Sequence, residues 1–228
     1  MIKPLVIFGN AEIASLAKYY FTVDSEYEVV AFTIDDNYVT DSSFLGLPII
    51  PFSLINEKFP PNEFDMHVAL SYTRLNRLRE EKYNQAKAAG YSLVNYISSK
   101  SSTWPDLLVG DNCFILEDQT IQPTVQIGNN VILWSGNHIG HGTQIGDHTY
   151  FASQVVVSGN CKIGKRCFFG VNATLKDFLT VGDDVFVAMD ASVSRDLPTD
   201  SVVLAAKSRI FKSGDPVGQK IKKSYFKL

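Results

Sequence analysis

The sequence predicts two folds in tandem: a small α/β domain built on a parallel sheet, then an all-β parallel helix of very short strands. Two patterns carry this. Every sixth residue from Val109 to Val193 is bulky and apolar. Ahead of that stretch, strand-like apolar runs alternate with helical ones. Composition sets the frame: 228 residues, 45% hydrophobic and 20% charged, are enough for two small globular domains. A net charge of −3 gives no nucleic-acid footprint.

The first domain is expected over residues 1–100. "KPLVIFGNAEIASLAKYY" reads as a buried strand, a tight turn at Gly9 and a helix with Ile13, Leu16 and Ala17 on one face. "YEVVAFTIDDN" is a second strand ending in Asp35 and Asp36, and "LPIIPFSLI" a short third. "DMHVALSY" is a fourth strand. It leads into a polar helix, "RLNRLREEKYNQAKAAG", capped by Gly90, and "YSLVNYI" is a last strand. This alternation is Rossmann-like.

Gly9-Asn10-Ala11 keeps only the first glycine of a dinucleotide fingerprint. Free N–H groups at the following helix start suit an anion, and the same residues suit a plain strand–turn–helix. Asp35 is placed either to accept hydroxyl or base hydrogen bonds or to sit in a solvated turn.

The second domain is expected over residues 101–198. Counting in sixes from Val109 meets fifteen apolar residues in fifteen tries. By chance this happens roughly a few times in 10⁵, so the period is structural. Six fits neither a helix at 3.6 nor a plain strand at 2; it fits strand, turn, strand, wound as a solenoid. Glycine often follows the apolar residue, as at Gly128, Gly140 and Gly146, and is read as easing the turn. Four positions after it come small or β-branched residues, and Cys113, Cys161 and Cys167 all share that inward phase. Three cysteines without a CxxC are therefore read as buried core thiols in a reducing compartment. The start of the chain shows no signal-peptide pattern and no membrane span, so a cytoplasmic location is expected. Residues 199–228 form a basic C-terminal tail with no assigned role.

The [LIV]-G-x-x-x-x run resembles the hexapeptide-repeat transferases, which implies a left-handed parallel β-helix with three hexads per coil. Together with the GxxxxA-bearing first domain, the chain resembles the nucleotide-sugar acetyltransferases of the sialic-acid, bacterial N-glycan and perosamine pathways. That resemblance implies an acetyl-CoA-dependent N-acetyltransferase acting on a nucleotide-linked 4-amino-4,6-dideoxy sugar, of the kind used for lipopolysaccharide O-antigen. It also implies a homotrimer with its active site between neighbouring β-helices. A sugar O-acetyltransferase and a non-catalytic scaffold are the alternatives.

The same resemblance assigns the residues. His141, in "HGTQIG", matches the catalytic general base, with Gly142 where the family has an acidic neighbour. Another carboxylate, Glu117 or Asp118 on an earlier coil or a neighbouring chain, or a backbone carbonyl is expected to orient the ring instead. Gly9, Asn10, Ala11, Asp35, Asp36, Asn76 and His138 are expected to bind the nucleotide-sugar. Ser153, Gly170 and Ala188 would follow the coenzyme's pantetheine arm, with Lys207 and Arg209 near its phosphates. No metal is expected: zinc needs about three converging histidines, and His148 lies on another face.

Overall fold

The computed structural model describes residues 3–227. In the first domain, β1 (Lys3–Phe8), β2 (Tyr27–Ile34), β4 (Leu47–Pro51) and β5 (Asp65–Val68) form a parallel sheet in the order β4-β2-β1-β5. The short β3 (Ser43–Phe44) pairs antiparallel at its edge. The order reverses at β1: β2 and β4 lie to one side and β5 to the other. A crevice therefore opens at the strands' C-terminal ends, where open α/β sheets bind ligands. Helices α1 (Glu12–Val23), α2 (Ile55–Lys58) and α3 (Arg77–Ala88) complete the domain. α3 ends as the sequence suggests, with Gly90 at φ +95° just beyond it.

From Tyr96 onward the chain winds into the β-helix. Up to Val193 each two-residue rung pairs in parallel with the rung eighteen residues later, as Gln126–Ile127 does with Gln144–Ile145 and His138–Ile139 with Val156–Val157; the last coil is two residues shorter, Phe186–Val187 pairing with Val202–Val203. Three parallel sheets result, one per side. The every-sixth residues from Ile115 to Val193 are all buried, as are Cys113, Cys161, Cys167, Thr143, Ala173 and Ala191 from the second inward phase. The pairing extends past the expected limits: β6 (Tyr96–Ile97) joins Phe114–Ile115, and Val202–Val203 joins Phe186–Val187. "YSLVNYI" is thus mostly irregular, and its paired end belongs to the β-helix.

The left-handed backbone position differs from the expected one. Every sixth residue from Asn112 to Asp190 has a positive φ, but this is the third residue after the apolar one, not the glycine that follows it. That glycine serves a different need. A Cβ on Gly140 would lie 2.6 Å from the Gly159 backbone nitrogen of the next coil, so glycine is there to let coils approach.

The two domains share one core. Phe114, Ile132 and Tyr150, outward on one side of the β-helix, pack with Phe21, Phe32 and Tyr96. Polar α3 is explained by the same joint. Arg79 is fully buried; its guanidinium donates to the carbonyls of Asn130 and His148 and to Asn76 Oδ1. Arg166 bridges Glu80 of α3 and Asp184. No described helix is long and apolar enough to cross a membrane.

Candidate active site

Two regions hold the expected residues. The first is a cavity of about 520 Å³ at the crevice of the parallel sheet, walled by Gly9, Asn10, Ala11, Asp35, Tyr38 and Lys82 among others. Gly9 has φ +131°, and a Cβ there would sit 2.8 Å from the Ala69 carbonyl oxygen, so only glycine fits. Ala11 caps α1 without any side-chain hydrogen bond, leaving the first N–H groups of the helix open towards the cavity. Lys82 is nearly buried and holds Asp35 at 2.7 Å, which places a cation and a carboxylate side by side in the wall.

Two expected members of this site lie elsewhere. Asp36 turns away: its carboxylate accepts from the Ser53 N–H at 3.1 Å and hydroxyl at 2.5 Å, which hold its pKa below the usual range. Asn76 is fully buried. Its amide donates to the Arg166 and Cys167 carbonyls at 3.2 and 3.0 Å, and its oxygen accepts from Arg79. It closes a left-handed turn, Arg74-Leu75-Asn76, that pins α3 to the β-helix. It is a joint residue because its hydrogen-bonding capacity is consumed there.

The second region is the β-helix corner bearing His141. Gln122, one coil below, supplies the ring's partner: its Oε1 accepts the His141 backbone N–H at 2.8 Å and lies 3.1 Å from Nδ1. The atom that accepts the backbone N–H must be the amide oxygen, so Nδ1 carries the proton and Nε2 keeps its lone pair. Asn160 Nδ2 stands 3.4 Å from Nε2, a long contact that an incoming donor can replace. Gly159 lies under the ring, where a Cβ would come within 2.7 Å of Cε1.

Gly142 occupies the left-handed turn position at φ +68°, and a Cβ there would meet Asn160 Oδ1 at 2.4 Å. An acidic neighbour at 142 would displace Asn160. Within the chain, Glu117 is engaged elsewhere: it accepts from Tyr20 at 3.0 Å and Ser135 at 2.9 Å at the domain joint. Asp118 lies in the next turn. A neutral amide fixes the ring instead.

His138 sits on the flat side between Thr120 and Val156, half-buried, three residues from the corner. Neither His138 nor His141 lines the 520 Å³ cavity. His148 is committed to the joint: Asn130 Nδ2 lies 2.9 Å from its Nδ1 and Glu80 3.6 Å from its Nε2, and burial pulls its pKa down to about 4. Among the described residues, no group of three His, Cys, Asp or Glu is placed to hold a metal ion. Burial raises all three thiols, Cys113 and Cys167 to about 12, so none offers a thiolate near neutrality.

Ser153 and Gly170 line a separate groove of about 390 Å³ with Tyr72, Trp134, Tyr150 and Phe168. The N–H groups of Gly170 and Ala188 are spent on the coil ladder, donating to Val187 and Val203 at 2.8 and 2.9 Å. They cannot act as free amide donors to a pantetheine arm, and Ala188 is not in the groove wall. Lys207 and Arg209 lie on the exposed segment after the last rung, with Arg209 5.5 Å over the Phe211 ring.

The profile of the bacterial transferase hexapeptide (six repeats) matches residues 124–159, the coils that hold both surface histidines. A comparison with curated proteins gives no match. Among solved structures, PerB from Caulobacter crescentus, in complex with CoA and GDP-perosamine, is 24% identical. The match covers 93% of this chain and 99% of that one, with a TM-score of 0.80. The acetyltransferase domain of PglB from Neisseria gonorrhoeae, in complex with acetyl coenzyme A, is 21% identical, covering 92% and 99% at a TM-score of 0.79. WeeI from Acinetobacter baumannii is 19% identical, covering 92% and 100% at 0.75. The chain shares their fold. It is a Rossmann-like α/β domain followed by a left-handed parallel β-helix.

Sequence reasoning missed Gln122, Gly159 and Asn160. All three were within reach once the coil length was known. They lie one coil below or above His141, at separations of eighteen or nineteen residues. Lys82 had no such signal, since nothing in a polar helix marks the lysine that turns inward.

Proposed function

We propose that this protein is an acetyl-CoA-dependent N-acetyltransferase for a nucleotide-linked amino sugar, with His141 as general base. The observation that carries this is the His141–Gln122 pair. It presents an unprotonated Nε2 at an exposed corner, in the tautomer an incoming amine requires. The amine nitrogen attacks the thioester carbonyl carbon while its N–H proton passes to Nε2. The C–S bond then breaks, and the departing sulfur takes the proton from the imidazolium. The two steps together return the histidine to its starting state.

The sheet-crevice cavity supplies the other half. Open N–H groups at the start of α1 suit a diphosphate, and the Asp35–Lys82 pair offers an acceptor and a donor to ribose or base. PerB and the PglB domain, bound to CoA with GDP-perosamine and to acetyl coenzyme A, support the choice of substrates. The groove of Ser153 and the cations Lys207 and Arg209 remain our candidates for coenzyme contacts. Because His141 is absent from the cavity wall, the two halves meet between copies of the chain, for which a homotrimer is the proposed assembly.

The test is acetyl transfer from acetyl-CoA to GDP-, UDP- and dTDP-linked 4-amino sugars and their 4-hydroxy analogues, with His141→Ala alongside. The amino sugars should react, and the variant should lose 10²-fold or more in turnover with its fold intact. Transfer to the hydroxyl compounds alone, or a fully active variant, overturns the proposal.

A further inference from the structure

The last helix is the one element that acetyl transfer leaves unused. α4 runs from Pro216 to Phe226, capped by Asp215, whose carboxylate accepts from the N–H groups of Val217 and Gly218 at 2.8 and 3.2 Å. No residue of this helix is buried, and Val217, Ile221 and Tyr225 are 54, 49 and 80% exposed. At about 100° per residue, those three fall within an arc of about 80°. Lys220 and Lys222 lie about 60° beyond its two edges, Lys223 lies on the opposite side, and Phe226, 67% exposed, lies beyond Lys222.

The charge around the helix is lopsided. Residues 207–227 hold seven lysines and arginines against one aspartate, in a chain whose net charge is −3. Among the described residues, none of these seven cations takes part in an ion pair. The segment is held to the helix by Phe211, against which Gly218 packs so closely that a Cβ would come within 2.8 Å.

We propose that α4 is a docking surface for an anionic lipid bilayer. The helix lies flat, with Val217, Ile221 and Tyr225 at the acyl boundary and the bordering lysines among the headgroups. A stripe edged by lysines on both sides is what such an interface demands, because cationic stems reach apolar depth while their ammonium groups stay at the phosphates. Three apolar residues make a weak, reversible anchor, so attachment depends on the lysines and weakens with salt. Docking rests on α4 and its own lysines, not on Lys207 and Arg209, which the catalytic reading assigns to the coenzyme.

The test is sedimentation of the full chain with vesicles of phosphatidylglycerol and phosphatidylethanolamine, against phosphatidylcholine vesicles, at 50 and 500 mM NaCl. The wild type should sediment with the anionic vesicles at low salt. Binding should fall at least tenfold with phosphatidylcholine, with high salt or with Ile221→Glu, while the solution mass and thermal melt of that variant stay unchanged. Failure to bind anionic vesicles overturns the proposal, as does binding unaffected by Ile221→Glu. A lower solution mass for Ile221→Glu also overturns it, because a second copy of the chain would then own the stripe.

Discussion

Gln122→Glu changes one atom type at the best-defined contact of the proposed site. Both acceptor functions survive, because a carboxylate oxygen can take the His141 N–H and Nδ1–H as the amide oxygen does. What changes is charge. At the observed 3.1 Å, a unit charge pair is worth about 1 kcal/mol in water and several times that in a less polar medium. The corner is open, so the lower figure applies, and about 1.4 kcal/mol corresponds to one pH unit. The protonated ring is favoured, and a general base works only when neutral. The acid limb of kcat/KM should therefore move up by about one pH unit, costing up to tenfold in rate below the limb and little above it. Gln122→Met, which removes the acceptor without adding charge, should lower kcat and leave the limb in place. The assay is acetyl transfer followed by thiol release from pH 5.5 to 9. An unmoved limb in Gln122→Glu, together with full activity in Gln122→Met, refutes the claim that Gln122 sets the state of the ring.

Three further outcomes follow from the geometry. Gly159→Ala puts a Cβ 2.7 Å from His141 Cε1 at a position without a positive φ, so turnover should fall about tenfold while the melting temperature holds; normal turnover refutes the packing argument. Asn76→Ala leaves Arg79 short of an acceptor and the Arg166 carbonyl without its amide donor, while Cys167 keeps the Tyr150 N–H, and should cost about 2–4 kcal/mol in denaturant titration. KM for the nucleotide-sugar should stay unchanged, since Asn76 is not in the cavity; a raised KM at full stability returns it to the site. His67 and His148 are held neutral by burial, each with its pKa pulled down to about 4 from 6.5. The unfolded chain binds these protons first, so stability should decline as pH falls from 6.5 towards 4. The loss should be on the order of 3 kcal/mol for fully buried His67 and less for His148. Melting temperatures that stay flat across that interval refute the assignment.

The solenoid was legible in the sequence because an inward rung position admits so few side chains. Bulky aliphatics at one phase and small residues at the other leave a period that survives any choice of surface residue. The left-handed position carried a signal that sequence reasoning passed over: it is Asn, Asp or Gly at most of its repeats, as at Asn112, Asp118 and Gly142, and only exceptions such as Arg166 and Phe178 blur it. The glycines were seen but given the wrong task, since clearance between coils leaves no mark within a single hexad. Asn76 looked like a ligand residue because a buried polar joint and a polar binding loop read alike in one dimension. Cysteine phase and the Gly9 turn could be read because each depends on local constraint alone. The ring partner of His141 lies one coil away, a distance that three hexads per coil already implied; what the sequence did not mark is which side chain of that coil reaches the ring.

The eighteen-residue pairing has a consequence for how such a chain can change length. Deleting one residue inside a rung would throw the aliphatics of that coil out of phase with the coils on either side. Within the body of the spiral two kinds of edit escape that fate: a loop extruded at a corner, or the gain or loss of a complete turn; only the last coil departs, Val202–Val203 pairing with Phe186–Val187 sixteen residues earlier. Evolution of this scaffold is accordingly quantised, and a library of random single-codon deletions across residues 109–193 should yield almost no soluble product.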